Sequence, residues 1–153
     1  MNMQTGDLQD IYRHRVLEHS RHPHNFGRPA TVDQEATGLN PLCGDKLSVY
    51  LQLGVNTIHR ITFEGTGCAI CIASASIMTD ALTGLPVNRA LQMVANVQGM
   101  FSDGSPIEDI ELQEMEALAS VRRYPSRVKC AMLAWTTFTA ALKGDTKPVS
   151  TEI

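Results

Sequence analysis

Between residues 46 and 53 the chain alternates: Leu47, Val49, Leu51 and Leu53 interleave with Ser48, Tyr50 and Gln52. That period of two predicts a strand covered on one face. Gly54-Val55-Asn56 can turn the chain, and residues 57–64 supply a second strand through Ile58, Ile61 and Phe63. The change of parity around His59 and Arg60 predicts a bulge in this antiparallel pair. A short strand over residues 31–35 would complete a sheet of three.

Elsewhere the apolar positions recur with helical spacing. Residues 7–19 open on Asp7, a suitable N-cap, and carry Leu8, Ile11, Tyr12 and Val16. This helix must stop by Pro23, which lacks an amide proton and restricts its predecessor. After Cys68, Ile70, Ala73, Ile77 and Ala81 share a face until Gly84 offers a C-cap. Pro86 suits the first turn of another helix, burying Val87, Ala90, Leu91, Val94 and Val97 and ended by the polar segment 101–106. A weaker helical stretch covers residues 108–120. Pro125 precedes the last helix, with Val128, Met132, Trp135, Phe138 and Leu142 on its apolar face. Methionines 78, 93, 100, 115 and 132 fall on helical apolar faces, where core filling is the default. A helix, then strands, then helices reads as an α+β fold: a small three-stranded antiparallel sheet packed with about five helices.

With 153 residues, 43% of them apolar and 19% charged, the chain can bury the core of one domain. The expected organisation is a single domain over residues 1–153, in which 144–153, polar and irregular, form a flexible tail. No run approaches the roughly 18 apolar residues needed to span a bilayer. The first residues also lack the apolar stretch of a secretory signal, so a cytoplasmic protein with no membrane partner is predicted. Thirteen Lys and Arg against sixteen Asp and Glu give a net charge of −3 with no basic stripe, which argues against nucleic acid. Four cysteines in such a chain favour thiol, metal or redox chemistry over a disulfide framework.

Cys43 lies in NPLCGDK, where Gly44 permits a tight bend and Asp45 follows two positions on. This pair reads either as half of a metal site or as a neutral buried thiol beside a turn-capping carboxylate. Cys68, in EGTGCAIC, falls at a strand-to-helix junction, where free amides and the positive helix end favour a thiolate. Cys130, in RVKC, has Arg127 and Lys129 nearby to favour its charged form, with simple helix burial as the alternative. Cys68 and Cys71 form a C-x-x-C, yet a zinc ribbon would want a second such pair and a thioredoxin-like motif a βαβ unit. A small core or supporting role therefore suits Cys71 better. His19, His22 and His24 are bunched at a polar helix end that enters a Pro-rich turn, and a solvated loop is the expectation there; His59 is expected on a strand face.

Taken together, NPLCGD, FEGTGCAICIASASIMTDALTG and YPSRVKCAMLAWTTF resemble the iron–sulfur cluster assembly scaffold family that includes IscU and the N-terminal part of NifU, with the SufU branch the closer match. The resemblance runs from the first helix and its HPHNFG turn to the Trp135 helix, and it implies a SufE/NifU-like fold. Carried across by motif, it implies that Cys43, Asp45, Cys68 and Cys130 are the metal ligands and cofactor-binding residues. Cys43 would be the sulfur acceptor. Arg127 would support the ligands, with Cys71 and Lys129 as further candidates for that role. Where IscU members carry a His before the third cysteine, this chain has Lys129. Residues 104–124 resemble the extra segment of SufU-like members, and YPSRVK replaces the LPPVK chaperone-recognition stretch of IscU.

The resemblance implies a zinc-bound resting form and a transient iron–sulfur cluster, and so both iron and zinc binding. The implied function is iron–sulfur cluster biogenesis: the protein would accept persulfide sulfur from a SufS-like pyridoxal-phosphate cysteine desulfurase and deliver a cluster to downstream acceptor proteins. It would act as a scaffold or sulfur acceptor rather than a stand-alone enzyme. One alternative is a zinc-dependent sulfurtransferase that activates the desulfurase without carrying a cluster. From another class, a structural zinc interaction module is disfavoured because such sites are usually closed by Cys and His alone. A metallohydrolase lacks a carboxylate base in the pattern.

Overall fold

The computed structural model describes residues 5–145 and 147–151, with side chains from Arg13 onward. In chain order it comprises α1 (Thr5–Arg21), β1 (Gln34–Asn40), β2 (Asp45–Gly54), β3 (Thr57–Thr66), α2 (Ala69–Leu82), α3 (Val87–Asp103), a 3-10 helix (Ile110–Arg123), α4 (Pro125–Lys143) and β4 (Val149–Ser150). The cap expected at Asp7 and the apolar positions Leu8, Ile11 and Tyr12 lie outside the described side chains.

The alternating segment is β2, and its inward residues Leu47, Val49 and Leu51 are fully buried. It pairs antiparallel with β3, and the register slips where Gln52 faces Arg60 and Leu53 faces Ile58, so His59 is the extra residue of the expected bulge. The turn between them works through Asn56, whose φ of 54° is the left-handed conformation Asn tolerates. On its other edge β2 pairs antiparallel with β1, which starts three residues later than expected and runs to Asn40.

A fourth strand corrects the expected count of three, giving the order β3-β2-β1-β4. Gly38 and Leu39 pair in parallel with Val149 and Ser150, from the polar stretch after Lys143. Two residues without apolar alternation carry no strand signal, and long-range pairing alone places them.

Helices cover one face of the sheet. Cys71, Ala73, Ala75, Met78 and Leu82 of α2 are fully buried, which suits a central helix with no solvent stripe. It is tied to α4 by Ser74, whose hydroxyl donates to the Ala131 carbonyl at 2.6 Å and accepts from Trp135 Nε1 at 2.9 Å. The α3 stripe is Ala90, Met93, Val94, Val97, Met100 and Phe101, whereas Leu91, expected inside, is 42% exposed. The weakly periodic segment 108–120 forms the 3-10 helix, anchored by buried Leu112, Met115 and Leu118. His19 departs from the solvated-loop expectation: it is buried, between Ser76 and Glu114. No helix among the described residues is long and apolar enough to cross a membrane.

Candidate metal centre

Asn40 ends β1 and Asp45 begins β2, facing each other in register across a four-residue tip, Pro41-Leu42-Cys43-Gly44. The Cys43 amide donates to the Asn40 carbonyl at 3.2 Å, closing the turn. Gly44, at φ 73°, then reverses the chain through a conformation that costs other residues energy. The tip leaves Cys43 exposed while Asp45, two residues on, is 2% exposed.

The other two expected ligands arrive from helices. Cys68, half-buried, is the N-cap of α2 and makes no capping bond with its own side chain. Asp45 satisfies a different amide of the same helix end from the neighbouring hairpin: its Oδ1 accepts from the Cys68 amide at 3.0 Å. A carboxylate at a helix N-terminus satisfies a free amide and complements the helix dipole. Gly67 makes the approach possible, since a Cβ there would lie 2.8 Å from Asp45 Oδ1 and 3.0 Å from Cys71 Sγ. Cys130 lies in the second turn of α4, which begins on Pro125 as N1. It is fully buried.

The donor atoms of Cys43, Asp45 and Cys130 all lie within 4.8 Å of one another. Sulfurs sharing a tetrahedral zinc stand roughly 3.8 Å apart, so the cluster needs only a small contraction around an ion. Burial, foremost, pushes the Cys130 thiol up, and hydrogen bonding to Asp45, Cys43 and Cys68 adds to the rise. Cys68, the fourth expected ligand, borders this group without being one of the three whose donor atoms lie within 4.8 Å of one another. Cys71 is fully buried beneath it, its thiol pushed up by burial first and then by the proximity of Asp45, Cys68 and Cys43. Arg127 is exposed on the first turn of α4 and Lys129 is half-buried beside Cys130.

One residue of the centre escaped the sequence reading. Asn40 is fully buried, and its Nδ2 donates both to Asp45 Oδ2 at 3.0 Å and to Cys130 Sγ at 3.3 Å. Its only signal was an Asn before Pro, which reads as turn chemistry.

Residues 11–144 match the NifU-like N terminal domain. The chain is 35% identical over 133 residues to the zinc-dependent sulfurtransferase SufU of Bacillus subtilis, covering 85% of this chain and 88% of that one. It is 37% identical over 142 residues to the iron–sulfur cluster assembly scaffold protein IscU of Streptococcus pyogenes serotype M1, covering 92% and 88%. A crystal structure from Fervidobacterium islandicum AW-1, assigned to iron–sulfur cluster assembly for the SUF system, superposes with a TM-score of 0.78 at 30% identity over 88% of this chain and 98% of that one. With its fold and nearly its whole length accounted for in this way, the chain belongs to the family of NifU-like N-terminal domains.

Proposed function

We propose that the protein takes persulfide sulfur from a SufS-like pyridoxal-phosphate cysteine desulfurase in the cytoplasm, assembles an iron–sulfur cluster and passes it to acceptor proteins. One observation carries this reading: an exposed thiol, Cys43, shares a cluster of donor atoms with a buried carboxylate and a buried thiol, Asp45 and Cys130. An exposed thiol at a hairpin tip can enter another protein's active site, while buried donors hold what it brings back.

In the transfer step the Cys43 thiolate attacks the outer sulfur of the desulfurase persulfide. A new S–S bond forms at Cys43 Sγ, the desulfurase S–S bond breaks, and the desulfurase cysteine leaves as a thiolate. The outer sulfur of the resulting Cys43 persulfide is the sulfur source once an external electron donor supplies the two electrons that release it as sulfide and leave Cys43 a thiolate, and iron is the second substrate. Cys43, Cys68, Cys130 and Asp45 supply three soft ligands and one hard one, a set that also suits a resting tetrahedral zinc ion. When bound, zinc would supply the positive charge that keeps these thiols deprotonated. Asn40 and the Cys68 amide hold the carboxylate in place.

A second reading, zinc-dependent sulfur transfer without a cluster, is favoured by Lys129 standing where IscU members carry a histidine, and by the similarity to the Bacillus subtilis protein of that name. Anaerobic reconstitution with iron, cysteine and a matched desulfurase separates the two. A visible-absorbing cluster transferable to an apo acceptor supports the scaffold, whereas a protein that stays colourless while stimulating the desulfurase supports the transferase. In either case Cys43→Ala abolishes the stimulation; unchanged turnover would refute both.

A further inference from the structure

Away from the cysteines, His19, His24 and Asp80 bring donor atoms within 4.8 Å of one another where α1, the loop after it and α2 meet. His24 Nδ1 stands 2.5 Å from Asp80 Oδ2, and the two imidazole rings lie 4.5 Å apart, centre to centre. We infer that these three residues form a separate binding site for a divalent first-row transition cation, with its remaining coordination positions open to water.

Groups behind the three donors hold them in place. His19 Nε2 lies 2.6 Å from Glu114 Oε2, an acceptor that favours the neutral tautomer with its proton on Nε2 and a lone pair on Nδ1. A carboxylate on the far ring nitrogen is the arrangement that orients a metal-bound histidine and raises its basicity. Asp80 is held likewise: Asn25 Nδ2 donates to its Oδ1 at 3.1 Å, leaving Oδ2 as the donor. Asn25 reaches that position from a left-handed conformation, φ 56°, and also bonds Thr79 Oγ1. Ser76 completes the frame, its Oγ accepting from the His24 amide at 2.8 Å and lying 2.6 Å from His19 Nδ1. An entering cation would take the place of the Ser76 hydroxyl at His19 Nδ1 and of the proton between His24 Nδ1 and Asp80, the His24 ring then carrying its proton on the exposed Nε2.

Two imidazoles and one carboxylate select borderline transition ions over magnesium or calcium, which prefer all-oxygen cages. Access is open, because the His24 and Asp80 side chains are 55% and 45% exposed while His19 forms the floor at 6%. Asp80 lies roughly 18 Å from Cys68 along the axis of α2, so the site does not depend on the thiolate centre.

The test titrates cobalt(II) into protein whose thiolate centre has first been filled with one equivalent of zinc. Histidine ring signals are followed by nuclear magnetic resonance and bound metal by equilibrium dialysis. The expected result is about one further equivalent bound, with selective broadening of His19 and His24 ahead of His14, His22 and His59, and an affinity lowered roughly tenfold or more in His24→Gln and in Asp80→Asn. Both substituted side chains are half-exposed, so the variants should keep the wild-type thermal melt without metal. No further equivalent, broadening that does not single out His19 and His24, or unchanged affinity in both variants would overturn the site.

Discussion

The Thr151 hydroxyl donates to Asn40 Oδ1 at 2.9 Å, joining positions 111 residues apart. The Asp45 carboxylate, which only accepts, fixes which way the buried amide faces, and Thr151 satisfies the oxygen left on the other side. With Oδ1 turned to Thr151, Nδ2 points at Asp45 and Cys130; reversed, a carbonyl oxygen would confront the Asp45 carboxylate. The Thr151 amide, bonded to the Leu39 carbonyl at 3.0 Å, continues the pairing of β4 with β1 and sets the hydroxyl in place.

Thr151→Val keeps the side-chain shape and removes the donor. Zinc affinity of the purified protein should fall roughly three- to tenfold, the worth of about 1 kcal/mol in one part-buried hydrogen bond. Competition with a chromophoric chelator measures it, and Thr151→Ser should restore the wild-type value.

Burial and proximity to the carboxylate make Cys71 a poor nucleophile even though it shares a C-x-x-C with Cys68, because only the thiolate reacts. In folded, metal-free protein, iodoacetamide should modify Cys43 roughly tenfold or more faster than Cys71, read by peptide mass spectrometry. Cys71→Ala should leave the zinc stoichiometry at its wild-type value. Loss of metal in that variant would make Cys71 a ligand.

Where the sequence was legible, a local pattern and the tertiary outcome agreed. The alternation of Leu47, Val49 and Leu51 is the buried face of β2, and the parity change at His59 is the bulge. NPLCGD, read as a tight bend with sulfur and carboxylate two residues apart, is the hairpin tip. What stayed hidden depends on partners distant in sequence. Asn40 looks like a turn residue until Cys130 and Thr151 reach it. His19 looks solvated because its own helix is polar, and it is buried only once Ser76 and Glu114 close around it. Leu91 has the right spacing for the core, but Met93 and Phe101 occupy that side of α3 instead.

Ser74 satisfies the Trp135 indole and the Ala131 carbonyl at the α2–α4 contact. Ser74→Ala leaves a buried N–H without an acceptor, so unfolding free energy should drop by about 1–3 kcal/mol. Urea denaturation of the metal-free protein measures this, with an unchanged m-value expected for an unchanged fold.

Asp45 can serve as the acceptor for the Cys68 amide, as a metal ligand, or as both, and Asp45→Asn separates these roles. An asparagine of nearly the same volume can still offer one oxygen to the Cys68 amide. Its NH2 would then face the Asn40 NH2, a donor against a donor where Asp45 Oδ2 now accepts. Losing that bond should lower the stability of metal-free protein by about 1–3 kcal/mol. The larger effect should be on metal. A neutral amide oxygen replaces an anionic one among three thiolates, so zinc affinity should fall roughly tenfold or more beyond the loss seen with Thr151→Val, where the carboxylate remains. If Asp45→Asn destabilises the fold yet binds zinc as tightly as wild type, the carboxylate is a hydrogen-bond acceptor alone and the centre is closed by thiolates and solvent.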